Sequence, residues 1–515
     1  MNETQHAATQ AWRKVCALVA GTAMGPTVAA LESSGALDVL SASPEGVLVE
    51  ELAARCGLHP GHIHTAFAVL GSRGLTRSSR SGRDARVQLL DAGRRWVPHA
   101  HAYLEASGRV SSARGLREAM LESGDPGVLR IDVPTDVPEE VRWHLAGPAL
   151  GAVVGGMGWL GDAARLFRAP MGFVPAAALR TPPAVLECAL PALVDLGWLR
   201  REEDLLSLTP EGRSAVPLAP LFNYAHGYLG VYARAEGLLL GQAGTTPGDA
   251  RDPRDRLFLV RGKEYVFRMN LAPILEEVLR GIVGSDVADR PRVILDLAAA
   301  EGGVLEAIDG MLDSFGVRRE VELVGLCADA AQAEQARQRL GERARILRGG
   351  FSDVAAAGDL LSQAGVDLAE TLAISKTTIH DRILSGQIEP DLLPARGRPS
   401  EAVFVDPAGE RIDPRRMEDE LASFFRRWRG LLGRFGLIAI DAHAVPEDVA
   451  AATAERNLHT QTVASHGYSA QYLIECDRFR EAARRAGFRA RVSRDLGSPT
   501  VEAPTMSLEH LVPSS

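Results

Sequence analysis

Four side chains late in the chain have the types and spacing to gather around a cation. Asp441 and His443 stand two apart, just past the apolar run 436–440, so an extended segment would point them the same way. His466 and Gln471 follow in SHGYSAQY, a Gly-containing loop running into a helix. A carboxylate, an imidazole and an amide oxygen can together build a partly open octahedral site for Fe(II) or Mn(II). The plainer alternative is that each histidine is a hydrogen-bonded loop residue. A second group, His380-Asp381, follows another apolar run. His380 has the chemistry of a general base near neutral pH, with Asp381 to orient it. Thr377, Thr378 and Asp381 would serve equally well as helix or turn starters. The third group lies in PRVILDLAAAEGG, residues 291–303. An apolar run ending in Asp296 and a small-residue turn is how an open α/β sheet begins a nucleotide-type site. Small residues let backbone N–H groups approach a ligand at the following helix N-terminus. Ala298 and Ala300 stand where such loops usually carry Gly, and Gly302 closes the turn. An ordinary strand–turn–helix with no ligand has the same pattern.

The elements that would position these groups alternate strand and helix from residue 291, as a doubly wound sheet requires. Strands are expected at 293–297, 321–326, 344–347, 368–374 and 436–440, with helices at 304–315, 330–340, 354–364 and 417–435. A hairpin is expected at 402–412, then a helix at 469–486 and closing strands at 489–492 and 508–512. Before this region, residues 11–98 read as helices followed by a hairpin, the pattern of a winged helix-turn-helix. The pattern recurs: LGSRGLTR…VQLLDAGR matches LVDLGWLRR…LSLTPEGR in order and spacing, an internal repeat. Pro191 should kink the second helix of the second copy. Residues 245–259 read as a polar connector. Three segments result: 1–110 and 140–243 as winged-helix-like modules, and 254–515 as the α/β domain.

Composition narrows the function classes. The chain has 515 residues, 46% hydrophobic and 24% charged, with a net charge of −9. That length implies several domains, and the charge carries no whole-chain signature of nucleic-acid binding. Residues 1–100 hold ten Lys and Arg against eight Asp and Glu. A phosphate backbone needs cations opposite it, so the repeats suit packing or dimerisation better than DNA. Five scattered cysteines without a CxxC pair suit a reducing cytoplasm rather than a disulfide framework. The apolar run 15–24 is too short to span a bilayer, so no membrane partner is expected.

Residues 254–515 resemble class I S-adenosylmethionine-dependent methyltransferases. They are most similar to polyketide-synthase-associated carbon methyltransferases of the metal-dependent apratoxin starter-unit type. The resemblance is carried by RPRVILDLAAAEGGVLEAI, VELVGLCADAAQ, TTIHDRIL and, above all, GRFGLIAIDAHAVP followed by SHGYSAQYLIE. It implies an α/β Rossmann-type methyltransferase domain behind two winged-helix-like α+β modules. It implies S-adenosylmethionine held near Asp296, Ala298, Gly302 and Asp329, and a catalytic His380 with Asp381. It further implies a divalent Fe(II) or Mn(II) ion on Asp441, His466 and Gln471, with His443 competing, which would chelate a β-keto or malonyl-type substrate and stabilise its enolate. The acceptor would be a small molecule or an acyl group on a carrier protein, in natural-product assembly, and the family pattern allows a homodimer. The chain departs from the family at three donor positions: the glycine-rich turn, Cys327 where an acid would hold the ribose, and Gly350 where an acid would face the adenine. Two alternatives stand beside methyl transfer. One is a donor-independent metalloenzyme on the same fold, catalysing decarboxylation, elimination or rearrangement. The other is a non-catalytic winged-helix binding or regulatory protein.

Overall fold

The computed structural model describes residues 3–79, 85–122, 136–169, 173–245, 253–284, 289–497 and 503–514. The chain forms two compact units. The first holds Met1–Tyr265 and two returning segments, Val405–Arg411 and Glu447–Ala470; the second holds Val266–Phe404, Ile412–Pro446 and Gln471–Ser515.

The first unit is built on the helix Glu3–Ser33, whose residues 15–31 are all buried. By length and composition this helix could cross a membrane, yet 94% of its most apolar stretch is buried inside the protein. Gly35, at φ 74°, breaks this helix from the separate helix Ala36–Ser41. Two antiparallel three-stranded sheets follow. In one, β1 (Val47–Leu48) and β2 (Thr76–Ser78) flank β3 (Arg86–Leu89). In the other, β4 (Phe173–Pro175) and β5 (Leu199–Glu202) flank β6 (Leu205–Leu208).

The internal repeat is visible atom by atom. Leu90 donates its N–H to the Leu75 carbonyl at 3.0 Å, and Thr209 donates to the Trp198 carbonyl at 3.1 Å. Over those same carbonyls lie Gly93 and Gly212, where a Cβ would stand 2.0 Å from the oxygen. That contact explains why DAGR and PEGR share their glycine. The helix Pro183–Asp195 runs through Pro191 without ending there. Residues 246–252 of the expected connector lie outside the described residues. From Pro253 the chain is already helical (Pro253–Val266), with Phe258 and Leu259 buried. Pro at the first helical position is a starter rather than a breaker.

The second unit is one seven-stranded sheet of β7 (Val293–Asp296), β8 (Glu322–Cys327), β9 (Arg345–Arg348), β10 (Thr371–Lys376), β11 (Leu437–Ala442), β12 (Phe488–Leu496) and β13 (Met506–Pro513). Its order is β12-β13-β11-β10-β7-β8-β9. Five strands run parallel, while β13 pairs antiparallel with both β11 and β12. The chain reverses direction across the sheet between β7 and β10, the switch point where open α/β sheets bind ligands. β7 is buried along its whole length, as a central parallel strand should be. Edge strand β12 is mostly exposed and carries Arg489, Arg491 and Arg494, which discourage pairing with another edge.

Residues 382–404, after β10, form no helix or strand, but their backbone is tied down. The N–H of Ser385 is accepted by Glu420, that of Glu389 by Ser423, that of Ser400 by Glu418, and that of Glu401 by Glu475. Side chains of the helix Pro414–Leu431, and of Glu475 just before the helix Cys476–Arg485, thus replace the missing ladder. The hairpin expected at 402–412 is a single bridge, Val405–Arg411, around a turn in which Asp406 accepts the N–H groups of Ala408 and Glu410. The expected helix at 469–486 begins only at Cys476; Ala470, at φ 52°, lies in the chain before it.

Candidate active site at the strand ends

The loop after β7 is shaped by contacts rather than by glycines. Gly302 has φ 83°, and a Cβ there would stand 2.8 Å from Leu340. Ala300 takes φ 45°, an uncommon conformation for a residue with a side chain. A Cβ on Gly325 of β8 would stand 2.6 Å from the Ala299 side chain, so that bare position lets the loop sit down on the strand. Asp296 is 1% exposed. Its Oδ1 accepts the Ala298 N–H at 3.0 Å, and its Oδ2 has no hydrogen-bond partner. Burial pushes its carboxyl from 3.8 up to about 6, while the Ala298 N–H and nearby Lys376 pull the other way. Lys376 also stands 5.0 Å from the Phe267 ring centre.

At the end of β8 the side chain is the thiol of Cys327, 3.3 Å from the Asp329 carbonyl oxygen, its pKa raised mainly by burial. Asp329 caps the helix Ala330–Leu340, its Oδ1 accepting the Gln332 N–H at 2.9 Å. Gly350 is exposed just past β9.

After β10, Thr377 takes φ 51° and donates its N–H to the Ile440 carbonyl at 2.6 Å. For a β-branched residue that conformation is a true outlier, and such strain gathers at functional sites. It opens the short turn Ile379–Asp381. His380 is 3% exposed. Its Nδ1 lies 2.5 Å from Asp441 Oδ1, its own N–H donates to Asp441 Oδ2 at 3.1 Å, and its carbonyl accepts the Tyr472 N–H at 2.8 Å. Asp441 also accepts the Ala442 N–H at 3.0 Å. The adjacency of β10 and β11 brings this pair together across 61 residues. Asp381 Oδ2 lies 3.9 Å from His380 Nε2, so the carboxylate that holds His380 is Asp441.

The four residues read as cation ligands serve different neighbours. Asp441 engages His380 beside β10. His443 turns the other way, its Nε2 2.8 Å from Ser507 Oγ of β13, and burial pushes its pKa down to about 4. Its ring also packs edge-on against Phe479. His466 belongs to the first unit, at the end of the helix His459–Gly467, with Nδ1 2.8 Å from the Thr462 carbonyl. Gln471 begins the last segment of the second unit and is 4% exposed. Among the described residues, the one set of three His, Cys, Asp or Glu with ligand atoms gathered within 4.8 Å is Cys476, Asp495 and Glu509. It contains none of the four, and Arg480 pairs with both of its carboxylates. Asp441 and His443 are thus each engaged by a protein neighbour and belong to no such set of His, Cys, Asp or Glu. The methyl-donor loop fits in part. The orphaned Asp296 oxygen suits an ammonium group, and the N-terminal amides of the helix Gly303–Ser314 suit a carboxylate. No carboxylate stands at the end of β8 for a ribose.

Tyr472, Arg382 and Glu420, to which sequence reasoning assigns no role, complete the site; Arg382 lies in TTIHDRIL and Tyr472 in SHGYSAQYLIE, while Glu420 lies in neither.

Residues 255–507 match the family described as AprA MT2-like domain. No curated protein matches the chain. Solved structures similar to it include the mitomycin 7-O-methyltransferase MmcR (15% identity, TM-score 0.43, covering 82% of this chain and 99% of that one). Another is an O-methyltransferase family 2 protein from Planctomyces limnophilus in complex with apigenin (12%, TM-score 0.40, covering 98% and 96%). A third is the DszA carbon methyltransferase (15%, TM-score 0.37, covering 80% and 95%). Over residues 255–507, the chain is thus similar to the AprA MT2-like domain family.

Proposed function

We propose that this domain transfers a methyl group from S-adenosylmethionine to the acidic carbon of a β-carbonyl acyl compound in natural-product assembly. The observation that carries the reading is the buried His380–Asp441 pair at the end of β10. With Nδ1–H held by Asp441, His380 keeps a lone pair on Nε2, which takes the proton from a carbon flanked by two carbonyls. Asp441 stabilises the imidazolium that results. When bound, S-adenosylmethionine supplies an electrophilic methyl group and leaves as a neutral thioether. Asp296 Oδ2 would hold its ammonium group and the amides at Gly303 its carboxylate. Asp441 accepts three hydrogen bonds, two of them from His380, and His443 is held by Ser507. The acceptor arrives free or on a carrier protein. The two repeats serve as winged helices for packing or dimerisation, away from nucleic acid and membrane, in the cytoplasm.

The test is hydrogen–deuterium exchange at the acidic carbon of a β-ketoacyl thioester, followed without donor. The protein should catalyse exchange and His380→Gln should abolish it; equal exchange in both would refute the base. One observation favours a second reading, a donor-independent enzyme that uses the same base: Cys327 stands at the ribose position, and Asp329 is occupied as a cap. Calorimetric binding of S-adenosylmethionine separates the two.

A further inference from the structure

The turn that carries His380 is bolted to the helix Pro414–Leu431 by an ion pair with almost no access to water. Arg382 is 2% exposed and Glu420 4%. Arg382 Nε donates to Glu420 Oε2 at 2.9 Å. Its Nη1 reaches back to the carbonyl of Ile379, the residue before His380, at 3.1 Å, and its Nη2 meets Met417 Sδ at 3.1 Å. The other Glu420 oxygen accepts the N–H of Ser385 at 3.1 Å. One guanidinium and one carboxylate therefore hold the backbone on both sides of His380. A buried ion pair is weak evidence of net stabilisation, because desolvating both charges offsets their attraction. Its geometry here has another consequence: it fixes where the His380 ring begins.

We propose that Arg382 and Glu420 are positioning residues for the His380–Asp441 pair, holding the Ile379–Ser385 turn so that His380 Nδ1 meets Asp441. The proposal rests on the reading of His380 as the base. Fork-shaped Arg is suited to the task because one planar group bonds a carboxylate and a carbonyl at once. Removing Arg382 alone leaves Glu420 buried and uncompensated, and the turn is free to shift. A shift of about 1 Å at a catalytic group costs on the order of 100-fold in rate.

The test uses the full-length chain and does not depend on turnover. In protein labelled with nitrogen-15 at histidine, the Nδ1 proton shared with Asp441 gives a far-downfield NMR resonance, assigned by its loss in His380→Gln. Three variants are compared: Arg382→Lys, Arg382→Met, and Arg382→Met with Glu420→Gln, which leaves no uncompensated charge. The double variant should lose or shift the resonance while its unfolding midpoint stays close to the parent's. Arg382→Lys, which keeps the charge but not the fork, should fall between. Carbon-acid exchange should drop about 100-fold in kcat, with KM nearly unchanged. An unchanged resonance in a folded double variant overturns the proposal. A perturbed resonance with no exchange by the parent protein supports the positioning role and sinks the base reading alone.

Discussion

Asp296→Asn is the substitution whose outcome the structure fixes most closely. The Asp296 carboxyl is buried, one oxygen has no partner, and burial lifts its pKa from 3.8 to about 6. A carboxyl with a raised folded-state value binds protons more tightly in the native protein than in the unfolded chain. Stability therefore falls as pH rises from 3.8 to about 6, and the whole penalty is present above that window. At about 1.4 kcal/mol per pH unit, the penalty is about 3 kcal/mol near pH 8 and about 1.6 kcal/mol near pH 5. Asn carries no charge to desolvate, so the variant gains on the parent as pH rises. The difference between the two gains, about 1.4 kcal/mol, is the quantity to measure, because the fit of the amide itself cancels from it. Urea unfolding near both pH values, read by hydrogen exchange of the β7 amides, reports on the unit that contains Asp296. In the same variant, S-adenosylmethionine affinity should drop while the apo protein becomes more stable near pH 8. An equal gain at both pH values would refute the argument that desolvation controls this carboxyl.

Two further outcomes follow from single contacts. Cys327→Asp places an acceptor at the end of β8, and S-adenosylhomocysteine should bind about 10-fold to 100-fold tighter by calorimetry, the worth of a charge-assisted hydrogen bond; unchanged or weaker binding would show that the ribose lies elsewhere. Asp162, fully buried, accepts the N–H groups of Arg180 and Thr181 and the Thr181 hydroxyl, so Asp162→Ala should cost about 2–4 kcal/mol in urea unfolding.

The parts of the fold visible in the sequence are those where one local pattern has one structural meaning. Buried parallel strands read as apolar runs, and residues 293–296, 322–327 and 437–442 lie within a residue or two of where those runs place them. The repeat was legible because its glycines answer to a backbone carbonyl in each copy. The helix Glu3–Ser33 was largely hidden because it is buried almost all around, leaving no polar face to set a period. The coil 382–404 was hidden for a different reason. Its order comes from carboxylates on or next to helices up to 74 residues away, and no local residue type announces such a partner.

The site shows the same limit in chemical form. Asp296, His380 and Asp441 each stand out as candidates, but sequence proximity assigned Asp381 to His380 and left Asp441 with His443. The sheet reverses both pairings. Strand adjacency puts Asp441 beside His380, and β13 takes His443 away through Ser507. Backbone strain would have been a better guide than spacing. Two of the four non-glycine residues with positive φ among the described residues, Ala300 and Thr377, follow β7 and β10, the strands that flank the switch point. Ala300 follows the orphaned carboxylate and Thr377 precedes the histidine. Neither conformation is required by a helix or a strand, so each is held by the loop it shapes. Relaxing Thr377 with Gly, which accepts φ 51° without cost, should therefore leave folding intact while loosening the His380–Asp441 hydrogen bond, read as broadening of the same downfield resonance; a resonance as sharp as the parent's would mean that Thr377 holds nothing in place.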